Sequence, residues 1–236
     1  MNLPLTIKLF ADGADYESIA ALAGESHIKG FTTNPTLMRK AGIVDYRKFA
    51  REVLAVVRDK PISFEVFSDD FDEMNHQALE IASWGSNVYV KIPVTNTKRE
   101  PTLPLIKTLT RQGVKINVTA VMTPEQVAMI ADHLDPGVPS CVSVFAGRIA
   151  DTGRDPLPLM KASLDHLSAL PRAELVWASP REVLNVCQAD ALGCHIITVT
   201  TDLLRKLPAL GRNLDDFSLE TVQMFRADAV AAGFCI

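Results

Sequence analysis

Three residues whose side chains can do chemistry lie near the ends of short apolar segments. Lys91 interrupts the run NVYVKIP, Glu65 lies within ISFEVF, and Asp12 ends IKLFAD. A lysine amine in an apolar pocket can lose its proton, because desolvation lowers a lysine pKa by up to about 3–5 units. A neutral lysine attacks carbonyl groups to form a Schiff base. The position of Lys91 in an apolar segment therefore predicts covalent chemistry on a carbonyl substrate. The alternative for Lys91 is a side chain that reaches water or pairs with a carboxylate.

The spacing of polar residues along the predicted strands favours the chemical interpretation. Side chains alternate between the two faces of a strand, and in a barrel one face meets the helices while the other points inward. The polar residues at the strand ends fall opposite the apolar face, and Phe145 lies in step with Ser143 on strand six. Barrel active sites lie at the C-terminal strand ends. We therefore expect one mouth to collect Asp12, Asn34, Glu65, Lys91, Asn117, Thr119 and Ser179.

Two of these residues have a simpler alternative role at the start of a helix. Asn34 precedes a proline and could cap the helix that follows. Ser179 opens the segment SPRE (179–182), which has the pattern of a capping box, as does TPEQ (123–126). A cap at Ser179 would still direct backbone N–H groups toward an anion.

Eight β-branched runs alternate with helical patterns along the whole chain, and no linker interrupts them. In residues 45–58, apolar side chains recur at the 3.6-residue period of an amphipathic helix. Strands begin roughly every 27 residues, which is the size of one βα unit. The predicted strands are 7–12, 30–34, 62–67, 87–93, 114–121, 141–146, 174–179 and 195–199.

This alternation predicts an α/β fold, a single-domain (β/α)8 TIM barrel over residues 1–236, for which about 250 residues is typical. The competing architecture is a doubly wound open sheet, whose strands would be apolar on both faces. The polar face described above argues against it. Residues 215–231 follow strand eight and predict an extra C-terminal helix, with Val222, Phe225 and Ala229 on one face.

Composition and charge exclude several classes of protein. The 236 residues include 24 Lys and Arg against 28 Asp and Glu, with a net charge of −4 and 47% hydrophobic residues. This mild acidity argues against a nucleic-acid scaffold and gives no reason to expect an anionic membrane partner. No apolar run reaches the roughly 18 residues of a membrane span, and the N-terminal segment lacks the features of a secretory signal. We therefore expect a cytoplasmic protein.

Neither the cysteines nor the histidines form a recognisable metal motif. Cys141, Cys187, Cys194 and Cys235 include no C-x-x-C pair, and H-E-x-x-H is absent. The glycine-rich motifs G-x-G-x-x-G and G-x-x-x-x-G-K-[ST] are also absent, which disfavours nucleotide cofactors. We expect no metal and no cofactor, with cysteines in the reduced state that is typical of the cytosol.

Five motifs together resemble the transaldolase family, and in particular its short subgroup that includes the fructose-6-phosphate aldolases. The motifs are GFTTNPTL (30–37), VKIPVT (90–95), NVTAV (117–121), VFAGRI (144–149) and WASPRE (177–182). The resemblance extends from about residue 7 to about residue 205. It implies a TIM barrel that acts on sugar phosphates through a Schiff base, without a metal.

The resemblance also implies roles for individual residues. Lys91 lies at the family's Schiff-base position, and Asp12 at that of the acid/base group that takes the proton from the C4 hydroxyl. Glu65 and Thr119 match the residues that, with a held water, move protons during carbinolamine dehydration. Asn34 matches the asparagine that binds donor-ketose hydroxyls. The further substrate-binding residues are Asn117, Phe145, Arg148, Ser179 and Arg181, of which the arginines suit a phosphate.

The combination of Glu65 and Phe145 favours transfer of a bound fragment over its release. The aldolase branch carries glutamine and tyrosine at these positions, and a tyrosine hydroxyl can position a proton-transferring water. The resemblance therefore implies a transaldolase of the pentose phosphate pathway. It would move a dihydroxyacetone unit from sedoheptulose 7-phosphate or fructose 6-phosphate to glyceraldehyde 3-phosphate or erythrose 4-phosphate. The alternatives are an aldolase that releases dihydroxyacetone and a sugar-phosphate-binding barrel without turnover.

The predicted C-terminal helix is relevant to the oligomeric state of the protein. In the family, such a helix packs on a neighbouring subunit, so the resemblance implies a homo-oligomer. The alternative for residues 215–231 is a helix folded back on its own barrel.

Overall fold

A computed structural model describes residues 5–234 of the chain. The strands form a closed parallel barrel in which each strand pairs with the next along the chain and β8 pairs with β1. The prediction of a (β/α)8 TIM barrel is therefore confirmed. The strands are β1 (Lys8–Asp12), β2 (Ile28–Thr32), β3 (Ile62–Glu65), β4 (Val88–Pro93), β5 (Ile116–Val121), β6 (Ser140–Val144), β7 (Ala173–Trp177) and β8 (Ile196–Thr200).

At least one helix follows each strand within the described residues. More than one helix follows β2, β6 and β8, and a short 3₁₀ helix, Leu207–Ala209, precedes the last one. The helices are α1 (Tyr16–Ala23), α2 (Pro35–Lys40), α3 (Tyr46–Val56), α4 (Phe71–Ser83), α5 (Leu103–Arg111), α6 (Pro124–Ala131), α7 (Ala146–Ala150), α8 (Leu157–Leu167), α9 (Leu184–Leu192), α10 (Thr201–Leu204) and α11 (Leu214–Ala231).

Two of the three helix caps expected from the sequence are present. The side chain of Asn34 caps α2, accepting the main-chain N–H three residues further on at 2.9 Å. Thr123 and Gln126 form the predicted capping box of α6. The cap predicted at Ser179 is wrong, because α9 begins only at Leu184 and Ser179 adopts a φ of +58°. A left-handed residue cannot take the extended conformation of an N-cap.

Four predicted strands, β2, β3, β6 and β7, each end two residues earlier in the structure than expected, and helical structure begins soon after two of them. β2 ends at Thr32 rather than at Asn34, which already caps a helix. β6 ends at Val144 rather than at residue 146, where α7 has begun. The helices that follow β2 and β6 therefore start directly at the rim of the barrel.

A small apolar cluster packs the interior of the barrel around the ring of Phe10. Gly30 on the neighbouring strand is required here, because a Cβ atom at that position would lie 2.5 Å from the Phe10 ring. Cys141, Val176 and Ile196 complete this cluster. The opposite faces of the strands pack with the helices in the main core.

The expected alternation is wrong at the end of β7. Trp177 packs in the main core with the helices, whereas Val176 belongs to the interior cluster. Ser179 was expected to face inward, and strand alternation would place Trp177, two residues earlier, on that same face. Ser179 lies instead beyond the strand, in a left-handed turn that ends the alternation. Its carbonyl oxygen approaches Gly147 so closely that a Cβ atom there would lie 1.5 Å away.

The helix predicted over residues 215–231 is present as α11, and none of its residues is buried. Its exposed apolar side chains include Phe217, Val222 and Phe225. No helix among residues 5–234 is long and apolar enough to cross a membrane. Cys141, Cys187 and Cys194 are free thiols, and the fourth cysteine, Cys235, lies outside the described residues.

Candidate active site

A cavity of about 570 Å³ lies at the C-terminal ends of the strands. Nine of the ten predicted site residues line it, and only Asn117 does not. Strand alternation and the barrel closure bring these distant residues together, because all parallel strands end at the same rim. The nine are Asp12, Asn34, Glu65, Lys91, Thr119, Phe145, Arg148, Ser179 and Arg181.

The amine of Lys91 is buried at the base of this cavity. The residue is only 6% exposed, and Nζ donates to the carbonyl oxygen of Thr33 at 2.8 Å. Nζ also lies 3.2 Å from Oε2 of Glu65, its register partner on β3. A buried charge is strongly unfavourable without a partner, so this carboxylate is the group that stabilises the lysine there.

Asp12 lines the same cavity as Lys91 and has its own set of hydrogen-bond donors. The Thr32 hydroxyl donates to Oδ1 at 2.8 Å, and the Asn34 amide approaches Oδ2 at 3.5 Å. Burial raises the pKa of Asp12, and Lys91 together with these hydrogen bonds opposes the rise without cancelling it. A carboxyl group of this kind can both take and return a proton.

Asn34 serves two purposes that the sequence left as alternatives. Its carbonyl oxygen caps α2, while its amide nitrogen points toward Asp12. The cap fixes the side chain, so that the amide stays at the wall of the cavity.

Asn117 is buried beneath the cavity instead of lining it. It is 1% exposed, donates to Ser63 Oγ at 3.1 Å, and accepts from Ser143 Oγ at 2.7 Å. This chain of hydrogen bonds spans three strands and supports the floor of the site. Ser143 itself reaches the cavity.

Thr119 reaches the cavity beside an irregularity in β5. The register between β5 and β6 shifts between Val118 and Val121, and Ala120 has a φ of +60°. Ala120 lines the cavity together with Thr119. Register shifts of this kind, of which the β-bulge is the common example, redirect side chains and are frequent next to active sites.

Two arginines line the rim of the cavity, and they differ in whether their guanidinium groups are paired with a carboxylate. Arg181 pairs with Asp151, with Nε 3.0 Å from Oδ1 and a second bond from the guanidinium to Oδ2. These bonds lower the pKa of Asp151. Arg148 lies over the ring of Phe145 at 5.6 Å from its centroid. Arg148 has no ion-pair partner among the described residues, so its charge is available to a ligand.

Several lining residues were not singled out by the sequence analysis. Thr32 and Ser143 share the inward face with predicted residues, so alternation alone could have identified them. Thr198 hydrogen-bonds to Thr32 and lies on β8, where no polar pattern drew attention. Lys40 lies at the end of α2, where strand alternation gives no signal, and it adds a further cation to the cavity wall.

Comparison with known proteins gives one consistent result. A family model described as transaldolase/fructose-6-phosphate aldolase matches residues 9–234. A protein of Listeria monocytogenes named probable transaldolase 2 is 33% identical over 217 residues, covering 89% of this chain and 94% of its own. A probable transaldolase of Methanococcus maripaludis is 33% identical over 202 residues, covering 85% and 89%.

The match covers nearly the whole barrel. The resemblance noted in the sequence is therefore confirmed at the level of the family. The chain belongs to the transaldolase/fructose-6-phosphate aldolase family.

Proposed function

We propose that this protein is a transaldolase that transfers a dihydroxyacetone unit between sugar phosphates through a Schiff base on Lys91. The observation that carries this proposal is the buried amine of Lys91, 3.2 Å from the Glu65 carboxylate, in a cavity shared with Asp12. Amine, proton carrier and acid/base group are the three functions that cleavage of a ketose through an imine requires. The relatives named probable transaldolase support the same reaction.

In the proposed first stage, Lys91 passes a proton to the Glu65 carboxylate, and the neutral amine attacks the C2 carbonyl of a ketose phosphate. Formation of the neutral carbinolamine moves one proton from nitrogen to oxygen, and loss of water from it then requires a second proton on the departing hydroxyl. Glu65 lies beside Nζ and acts as the proton carrier, and Thr119 lines the same cavity. The product is a protonated imine that withdraws electrons from C3.

In the second stage, Asp12 takes the proton from the C4 hydroxyl. The C3–C4 bond then breaks, its electron pair enters the imine, and an aldose phosphate leaves while a three-carbon enamine stays on Lys91. The raised pKa of Asp12 suits a group that accepts this proton and later returns it to the acceptor's aldehyde oxygen. Asn34 is placed to bind hydroxyls of the donor.

The fate of the enamine separates transfer from release. Transfer needs the enamine to survive until an acceptor aldose phosphate binds, whereas release needs protonation at carbon. Phe145 lines the cavity without a polar group, so it cannot position a proton-donating water. This favours transfer. Sedoheptulose 7-phosphate and fructose 6-phosphate are the proposed donors, and glyceraldehyde 3-phosphate and erythrose 4-phosphate the acceptors.

Arg148 is the proposed main phosphate ligand. Its guanidinium lies at the rim without an ion-pair partner among the described residues, whereas Arg181 is engaged by Asp151. Arginine suits a phosphate because its fork of N–H groups can donate two hydrogen bonds at once. Ser179 lies on the same side of the cavity and provides hydroxyl contacts.

Borohydride trapping tests the proposal directly. Incubation with fructose 6-phosphate and borohydride should reduce the imine and leave a stable adduct, which peptide mass mapping should locate on Lys91. Lys91→Met should give no adduct, and a chelator should leave trapping unchanged. A folded wild-type protein that forms no adduct with either donor would refute the proposal and favour a binding barrel without turnover.

Product analysis separates the transaldolase from the aldolase. With fructose 6-phosphate alone, a transaldolase should release little dihydroxyacetone, and added glyceraldehyde 3-phosphate should accelerate turnover. Equal rates with and without acceptor would assign the chain to the aldolase branch.

Further features of the proposal concern assembly and location. We propose a single catalytic domain in a homo-oligomer, supported by the exposed apolar residues of α11. We also propose a place in the pentose phosphate pathway in the cytoplasm, which follows from the reaction and from the free cysteines.

A further inference from the structure

We propose that Tyr46 is a positioning residue for Glu65, and through Glu65 for Schiff-base formation at Lys91. This inference rests on the proposed function, because it assigns Tyr46 a role in the proton transfers of that reaction. Tyr46 lies outside the cavity, and no sequence motif drew attention to it.

The main chain of Glu65 lacks a strand partner on one side, and the Tyr46 hydroxyl takes that place. β2 ends at Thr32, and the last backbone bond on this side joins Thr33 N to Ser63 O. Two residues further along β3, Glu65 N–H donates to Tyr46 Oη at 2.8 Å, and Tyr46 Oη donates to Glu65 O at 3.2 Å. One hydroxyl therefore satisfies both backbone groups of Glu65 where the neighbouring strand has turned away.

The other side of Glu65 is held by β4. Glu65 and Lys91 are register partners, and Val66 N donates to Lys91 O at 3.1 Å. The strand end is thus fixed between β4 and Tyr46. Without the hydroxyl, two partly buried polar groups of the main chain would lose their partners and the end of β3 could shift. Such a shift would change the distance from Oε2 to Nζ.

Tyr46 is itself held firmly in place. It is the first residue of α3, and the Asp45 side chain caps that helix. Its ring packs edge-on against Phe64, Phe67 and Trp84, with centroid distances of 6.1, 4.6 and 5.6 Å. Burial also raises the pKa of Tyr46, so the hydroxyl keeps its proton and can both donate and accept.

Tyr46→Phe tests the inference, because it removes only the hydroxyl and keeps the ring. The matched control is Phe67→Leu, which alters the same aromatic cluster without touching a hydrogen bond to Glu65. We expect Tyr46→Phe to slow borohydride trapping of fructose 6-phosphate and to lower kcat by about 5-fold, with KM within about 2-fold. Phe67→Leu should stay within about 2-fold of wild type in both measurements.

A double-mutant cycle with Glu65→Gln shows whether Tyr46 acts through the carboxylate. In the Glu65→Gln background, Tyr46→Phe should change the trapping rate by less than about 2-fold. If Tyr46→Phe changes the trapping rate by the same factor in the wild-type and Glu65→Gln backgrounds, the inference is overturned. A wild-type trapping rate for Tyr46→Phe overturns it too. Either result leaves the proposed function standing. A wild-type chain that forms no adduct overturns the proposed function, and this inference with it.

Discussion

Glu65 and Lys91 face each other as register partners on β3 and β4, with Oε2 3.2 Å from Nζ. Two adjacent inward-facing positions therefore hold the amine that we propose as the nucleophile and a carboxylate within reach of it. Lys91 is almost fully enclosed, so removing the carboxylate charge would leave a buried cation without its partner. Changes at Glu65 should thus affect both the stability of the site and the course of the reaction.

The first prediction concerns the choice between transfer and release. Glu65→Gln combined with Phe145→Tyr should raise cleavage of fructose 6-phosphate without acceptor roughly 10-fold relative to Glu65→Gln alone, because the new hydroxyl can position a water that protonates the enamine. Dihydroxyacetone formed without an acceptor aldehyde is the measurement. Phe145→Leu, which adds no polar group, is the control. Unchanged dihydroxyacetone formation in the double variant would contradict the role given to these two positions.

The second prediction concerns Asp12 and pH. The pKa of Asp12 in the folded chain is raised above its ordinary value of 3.8, so the folded state binds this proton more tightly than the unfolded state. Its protonation stabilises the fold at low pH, and that contribution is lost as pH rises through the raised pKa. The melting temperature of wild type relative to Asp12→Asn should therefore fall as the pH rises from 3.8 through the raised pKa of Asp12.

Asp15 provides a control of opposite sign. It is exposed and its pKa is lowered by bonds from Ser18, so its stabilising contribution is present above pH 3.8 and lost as the pH falls. The melting temperature of wild type, compared with that of Asp15→Asn, should therefore increase as the pH rises. A difference between wild type and Asp12→Asn that does not change with pH would contradict the raised pKa. Asp12→Asn should also abolish cleavage, while borohydride still traps the intact ketose on Lys91.

The sequence predicted the core of the site because regular strands make side-chain direction readable. Asp12, Glu65 and Lys91 each lie on a strand that keeps its alternation to the end, so polar residues on the inward face reach the cavity. Asn117 also faces inward, but Thr119, two residues further along β5, lines the cavity, while the Asn117 amide is held by Ser63 and Ser143. Inward direction alone does not fix depth within a barrel.

The rest depended on backbone irregularities and on pairings distant in sequence. Ser179 reaches the cavity through a left-handed turn that a capping-box pattern conceals. The ion pair of Arg181 with Asp151 joins two loops 30 residues apart, which no local pattern encodes. The backbone bonds from Tyr46 to Glu65 depend on where β2 ends, a boundary that the sequence placed two residues too late.

The third prediction concerns the two arginines at the rim. Arg148→Ala should raise KM for phosphorylated donors about 10-fold or more, because charge-assisted hydrogen bonds to the phosphate are lost. Asp151→Asn should instead lower that KM about 2- to 5-fold, because Arg181 becomes free to help. KM values for fructose 6-phosphate, compared with those for unphosphorylated fructose, provide the measurement.

The control for this pair is Asp202→Asn, which removes the carboxylate of another exposed arginine pair, that with Arg205. It should leave KM unchanged. A KM that rises in Asp151→Asn would mean that the ion pair itself shapes the binding site, and would contradict the view that Asp151 competes with the phosphate.

The fourth prediction concerns Gly147, the second residue of α7. A Cβ atom at this position would lie 1.5 Å from the carbonyl oxygen of Ser179, and a backbone atom cannot rotate away as a side chain can. Gly147→Ala should therefore push the loop after β7 outward and lower the free energy of unfolding by about 3 kcal/mol. The same movement displaces Ser179 and Arg181, so KM for fructose 6-phosphate should rise at temperatures where the variant is still folded.

Gly24→Ala is the matched control, because a Cβ atom there meets nothing within 4 Å and φ is −78°. Equal melting temperatures for the two variants would show that the loop relaxes freely, and would contradict a rigid contact between α7 and the loop that carries Ser179.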